Sequence, residues 1–239
     1  NGKVYRVKDV IRGKKLVRVV PEWTRHETTS FVQKSIRQKS AKRVRKYSEL
    51  TVAVTKLSVT EYLKAVTEKD ASGKTVRCYP PSGMPNNFLP TEGLSVTFST
   101  ELERQLNTLL DIKFENAVAS VERLAAALSP TVTGPCDSQD YSSGIDRNQN
   151  GELAIYLYDN VYDGVNLTEL AFDRLEPLLE RVRERIESCD CPEDAGCIRC
   201  VADTMRETPA SKRAAIIVVD SLLQVFGSES PAIVELGEP

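Results

Sequence analysis

The stretch Cys189-Asp-Cys191-Pro-Glu-Asp-Ala-Gly-Cys197-Ile-Arg-Cys200 holds four of the six cysteines of this 239-residue chain. Pro192 and Gly196 lie between the two cysteine pairs, where the chain has to turn to bring the sulfur atoms together. A Cys-x-x-Cys pair with a second pair close by is typical of a four-thiolate zinc site, which has no open position and is therefore structural. We predict that Zn²⁺ is bound by Cys189, Cys191, Cys197 and Cys200.

Two alternatives to zinc remain open at this point. The one-residue gap in Cys189-x-Cys191 is tighter than the usual two-residue gap, and an iron–sulfur cluster also uses four thiolates. Two disulfides would be expected only in an oxidising compartment or in a hyperthermophile.

The charges are unevenly distributed along the chain, although the net charge is only −2. Residues 1–50 contain 15 basic residues (Lys and Arg) and 4 acidic residues (Asp and Glu). The remaining residues contain 17 basic and 30 acidic residues. One stretch of the first part, residues 34–46, has seven basic residues and no acidic ones. Such a run is either a solvated surface or a contact for a phosphate backbone. The candidate DNA-binding residues are Lys34, Arg37, Lys39, Lys42, Arg43, Arg45 and Lys46.

The first half of the sequence predicts β-structure, and the fold class is α+β. Alternation over residues 3–20 predicts a hairpin that turns at Arg12-Gly13-Lys14. Further strands are predicted at 51–55, 62–67 and 76–79, followed by a linker at 80–90. We predict a β-rich basic segment over residues 1–85 and a mixed α/β zinc-binding domain over residues 86–230.

The second half predicts helices around one buried strand. Helices are expected over 100–110 and 114–128, and the strand over 153–158. A helix capped by Thr168 should kink or restart at Pro177, and a last helix should start at Thr208-Pro209 and run to about Phe226.

Two motifs imitate ligand sites without completing them. Gly73-Lys74-Thr75 resembles the end of a phosphate-binding loop, but no strand-loop-helix context surrounds it, so we predict a hairpin turn. Asp146-x-Asn148-x-Asn150-Gly151 resembles the start of a calcium loop, but the twelfth position is Leu157 and not glutamate, so we predict a turn.

The second half of the chain resembles the C-terminal zinc-binding domain of the mitomycin-repair-factor type of superfamily 2 DEAD/DEAH-box DNA helicases. The matching pieces are Cys136-Asp137-x-x-Asp140, Ile155-Tyr-Leu-Tyr158-Asp159, the four-cysteine stretch and Lys212-x-x-Ala215. The chain departs from the family at Ala119 and Arg123, which stand where the family has two helix histidines. The gap between its cysteine pairs is also longer.

The resemblance implies an ATP-dependent 3′→5′ DNA helicase that acts in repair or defence, with DNA as a partner. This chain has no phosphate-binding loop and no Asp-Glu-x-His box. The motor domains would therefore lie in the same polypeptide or in a partner subunit. Since the sequence begins with Asn1 and not Met, we expect a piece of a longer protein or a processed product.

Two other functions compete with an accessory helicase domain. One is a stand-alone zinc-stabilised scaffold whose basic arm docks an acidic protein. The other is a metal hydrolase that uses Asp137, Asp140 and Asp159. These three carboxylates have no histidine near them in the sequence. The longest apolar run, residues 214–219, is too short to span a membrane, and the clustered thiols favour a cytoplasmic location.

Overall fold

The computed structural model describes residues 4–80, 87–134, 137, 140–202 and 209–236. The chain divides into two compact units. The first unit consists of Asn1–Gln33 and Glu61–Asn86, and the second of Lys34–Thr60 and Asn87–Pro239. The predicted division at residue 85 stays a prediction, because compactness alone does not show which segments fold independently.

The predicted α+β class is confirmed by the elements of the described residues. The strands are β1 (Val4–Ile11), β2 (Leu16–Glu22), β3 (Glu27–Lys46), β4 (Leu50–Lys69), β5 (Thr75–Tyr79), β6 (Asn87–Phe98), β7 (Tyr141–Arg147), β8 (Leu153–Asp159) and β9 (Ala232–Glu235). The helices are α1 (Thr100–Asn107), α2 (Phe114–Leu128), α3 (Pro130–Thr133), α4 (Leu167–Asp173), α5 (Leu175–Glu187) and α6 (Lys212–Ser228).

In the first unit, β1 and β2 form the predicted hairpin, with a 3₁₀ turn at Arg12–Lys14. A bulge between Val7 and Asp9 shifts the register by one residue. Val7 therefore lies opposite Val19 and Val10 opposite Val17, and all of these side chains fall on one face. In the same unit, the Nδ1 atom of His26 lies 2.6 Å from the Oε1 atom of Glu68.

The second unit is built on a sheet of order β7-β8-β6-β4-β3-β9. Strand β5 pairs with the Val66–Lys69 end of β4 inside the first unit. Strand β8 is buried on both faces. Leu153, Ile155 and Leu157 join the main core with the helices. Ala154, Tyr156 and Tyr158 join a smaller core whose other members are Ile36, Leu57 and Val59. The prediction of a buried strand here is confirmed.

The structure corrects one strand prediction and one linker prediction. Residues 51–55 and 62–67 belong to one 20-residue strand, β4, and not to two strands. The predicted linker at 80–90 is too long, because β6 already begins at Asn87.

Helix ends were predicted less well than helix centres. Helix α2 has its predicted bounds, and Ser99 caps α1 by accepting a bond from the Leu102 amide. Thr168 lies inside α4, whose N-cap residue is Asn166, so the predicted cap is wrong. The cap of α6 is Ser211, which accepts from the Ala214 amide, and Pro209 precedes that helix. Thr208 lies outside the described residues. Helix α4 ends at Asp173, and a new helix, α5, begins at Leu175 with Pro177 in its first turn, in agreement with the predicted restart at this proline.

Candidate metal centre

The four cysteines of the 189–200 stretch converge on one point. Their Sγ atoms all lie within 4.8 Å of one another. The Sγ atoms of Cys189 and Cys197 are 3.5 Å apart, and those of Cys191 and Cys200 are 3.4 Å apart. A tetrahedron with metal–sulfur bonds of about 2.3 Å has sulfur–sulfur edges of about 3.8 Å. A disulfide bond measures about 2.05 Å, so these thiols have metal-site spacing and are not disulfide-bonded.

The loop that brings the thiols together depends on local backbone geometry. Gly196 has φ +84°, and an added Cβ would come within 2.2 Å of Val201 Cγ2. The Gly196 amide donates to Pro192 O at 2.9 Å, which closes the turn between the cysteine pairs. The Cys200 amide donates to Cys197 O at 3.0 Å, which closes the second turn. A glycine is therefore required between the pairs.

The electrostatics of the loop favour a bound cation. The Arg199 amide donates to the Cys197 sulfur and lowers the pKa of that thiol to about 6. Burial raises the pKa of the Cys191 thiol to about 12, with a smaller contribution from the bond to Cys200. Thiols this close cannot all ionise alone, since each thiolate disfavours the next. A divalent cation removes that penalty, so the donor set fits Zn²⁺.

Three helices hold the cysteine loop. Cys189 follows Ser188, the C-cap residue of α5. Lys212, the first residue of α6, donates through Nζ to Cys189 O, and Arg123 of α2 donates through Nη2 to Cys200 O. Arg185 of α5 donates through Nε to Arg199 O at 3.1 Å. Neither the carbonyl contact of Arg123 nor that of Arg185 was predicted from the sequence. Their positions on helix faces offer no signal that they reach carbonyls more than ten residues away.

The basic run at 34–46 lies on β3, and four of its seven residues already contact groups of this chain. Lys34 Nζ donates to Ser142 Oγ at 2.9 Å and to Tyr158 Oη at 3.0 Å. Lys42 Nζ lies 2.5 Å from Glu92 Oε1. Arg43 and Arg45 pair with Asp173. The exposed members are Arg37, Lys39 and Lys46.

The aspartates considered for hydrolysis do not form a site of their own. Asp159 is fully buried and accepts a bond from the Val165 amide at 2.6 Å. Burial raises the pKa of Asp159, whereas hydrogen bonds from the Val165 amide and from amides at the start of α4, including that of Thr168, partly lower it. Among the described residues, the four cysteines are the one group of three or more His, Cys, Asp and Glu able to share a metal ion. Asp159 therefore serves as an acceptor for amides before and within the first turn of α4.

The two imitation motifs are turns. The Gly73 amide donates to Asp70 O at 2.9 Å, and β5 follows with no helix. Asn148 Oδ1 accepts from the Asn150 and Glu152 amides in the turn between β7 and β8. Within the described part of the chain, no helix has the length and apolar character needed to cross a membrane.

Comparison with known proteins gives a family match and several structural matches. Residues 121–201 match the family model of the MrfA Zn-binding domain. A crystal structure of the DUF1998 helicase MrfA bound to DNA matches with a TM-score of 0.63 and 17% identity over 91% of this chain and 28% of that chain. A crystal structure described only as DUF1998 helicase MrfA matches with a TM-score of 0.56 and 18% identity, over 93% of this chain and 28% of that chain. A search among curated proteins gave no match.

At this level of identity the structural matches show the fold alone. The chain spans about a quarter of the length of the helicase chains that it matches. The prediction of zinc as the cofactor is confirmed by the family match together with the four-cysteine cluster. The resemblance predicted from the sequence is confirmed as well: the cysteine-bearing part of this chain is similar to the MrfA Zn-binding domain, and the chain shares the fold of part of the MrfA helicase.

Proposed function

We propose that this chain is the zinc-binding accessory region of an ATP-dependent 3′→5′ DNA helicase that acts in repair or defence in the cytoplasm. The observation that carries the proposal is the convergence of four thiols inside the segment that matches the MrfA Zn-binding domain. The chain has no motor motifs of its own. The motor domains are supplied by the same polypeptide or by a partner subunit.

Zinc has a structural role in this proposal. Cys189, Cys191, Cys197 and Cys200 supply four thiolates, so no position is left for water or substrate. The ion fixes the loop that follows α5, and the contacts of that loop with α2 and α6 then fix the three helices relative to one another. Zinc analysis of protein purified without added metal should give about one ion per chain.

DNA contact is proposed for the exposed part of the basic strand. Arg37 and Lys39 lie at a cleft of about 580 Å³ between β3 and the turn that joins β7 to β8. Lys46 is exposed farther along the same strand. Lys42, Arg43 and Arg45 are committed to acidic partners of this chain, so we assign them a structural role. A DNA-bound helicase among the matched structures supports a DNA partner.

Titration against DNA at several salt concentrations tests this assignment. The double variant Arg37→Ala/Lys39→Ala should bind more weakly and lose about 0.7 to 0.9 of salt-dependence slope per residue. The control Arg104→Ala/Lys113→Ala removes the same charge at exposed positions of α1 and before α2, and should bind like the wild type. Wild-type protein without DNA affinity even at low salt would contradict DNA contact. It would favour the scaffold that docks an acidic protein.

The exposed apolar face of the hairpin is an argument for a binding partner in the rest of the helicase. Tyr5, Val7, Val10, Val17 and Val19 share one face of the hairpin, and each is 48% to 60% exposed. A two-stranded hairpin with an uncovered apolar face is marginal in water. About seven tenths of the matched helicase chains lie outside the part that this chain spans. We assign an apolar surface of the motor domains to this face.

A further inference from the structure

Two cationic side chains from different helices bind the carbonyl groups of two cysteines of the cluster. Lys212 Nζ donates to Cys189 O, and Arg123 Nη2 donates to Cys200 O. These cysteines are the first and the last of the four. Both are buried, Cys200 completely. The two cations thus hold the two ends of the loop from the side of α2 and α6.

The charges of these groups complement the metal centre. Zn²⁺ with four thiolates carries a net charge of −2, and burial of an uncompensated charge is costly. Lys212 is only 7% exposed, so solvent screens its charge weakly. The acidic residues of the loop itself, Asp190, Glu193 and Asp194, are exposed and therefore largely screened. The loop's own acids do not cancel the effect of the two cations.

We infer that Arg123 and Lys212 are positioning residues of the zinc site, which supply its counter-charge and set its affinity for zinc. The inference rests on the zinc site of the proposed function. It also has a converse: without the metal, Lys212 is a buried cation that lacks its counter-charge. Zinc binding and the docking of the first turn of α6 therefore stabilise each other, as linkage requires.

Competition for Zn²⁺ with a chromogenic chelator measures the effect on the full chain. Lys212→Met and Arg123→Met should each weaken zinc binding by about 10- to 100-fold, the usual effect of losing an outer partner of a metal ligand. Arg181→Met is the matched control, because Arg181 is an exposed cation of α5, the helix that precedes the cysteine loop. The control should stay within about 3-fold of the wild type, since lost outer partners cost more than this.

A second variant separates charge from folding. Lys212→Arg keeps the cation and should fold, as judged by circular dichroism, with an affinity close to that of the wild type even if Lys212→Met fails to fold. An unchanged affinity in Lys212→Met and Arg123→Met, or an equal loss in Lys212→Arg, would overturn the counter-charge role while leaving the zinc site intact. Wild-type protein that binds no zinc would overturn both.

Discussion

The hairpin β1–β2 and the strand β8 are both rich in apolar residues, but their burial is opposite. Every residue of β8 is buried, because one face packs on the helices and the other on the small core around Ile36. On the hairpin, Val7, Val10 and Val19 are about half exposed. The second unit therefore contains its own stabilising core and metal loop, whereas the hairpin carries apolar surface that its own unit does not cover.

The largest expected effect is the loss of a zinc ligand in the second unit. Cys200→Ser should lose the zinc ion and lower the free energy of unfolding by several kcal/mol, since metal binding energy is folding energy in such sites. Cys78→Ser is the control, because Cys78 is exposed on β5 in the first unit and lies outside the cluster. Metal analysis and thermal unfolding check both variants. Full zinc content in Cys200→Ser would contradict the assignment.

Removal of the Lys42 charge should have the next largest effect. Glu92 is 6% exposed, and its Oε2 has no hydrogen-bond partner among the described residues. Lys42→Met would leave that carboxylate without its cation and should cost about 2 to 4 kcal/mol in chemical denaturation. Lys46→Met, at an exposed position of the same strand, should change stability by less than about 0.5 kcal/mol. Equal effects of the two variants would show that Lys42 is not structural.

Lys42 also illustrates how far sequence reasoning reaches. The cysteine loop, α2 and the hairpin were predicted because each depends on residues close together in sequence: ligand spacing, a helical apolar stripe and a local turn. The basic run was predicted to be either a solvated surface or a phosphate contact along its whole length, because its partners in this chain, such as Glu92 and Asp173, lie 50 to 130 residues away. Strands of 20 residues, such as β4, exceed the usual length, so two shorter ones were predicted.

A smaller effect of opposite sign is expected at Tyr156 in the small core. Its hydroxyl is buried without a hydrogen-bond partner among the described residues, and burial raises its pKa to about 12. Tyr156→Phe removes an unsatisfied polar group and should stabilise the chain by about 1 kcal/mol. Tyr158→Phe is the matched control, since the Tyr158 hydroxyl accepts bonds from Lys34 and Ser142 at 3.0 Å. The control should destabilise by about 1 kcal/mol. A destabilised Tyr156→Phe would indicate a bound water or another partner at that hydroxyl.

The smallest effect on stability is expected on the hairpin face. Val7→Thr and Val19→Thr keep the β-branched shape and the cross-strand pair, so strand propensity is preserved. Because these side chains are already half exposed, the free energy of unfolding should change by less than about 0.5 kcal/mol. Val54→Thr is the matched control, since Val54 is fully buried in the main core and the same substitution there should cost about 1 to 3 kcal/mol. Equal losses at the three positions would mean that the hairpin face is covered within this chain, and the surface assigned to the motor domains would then have to be sought elsewhere.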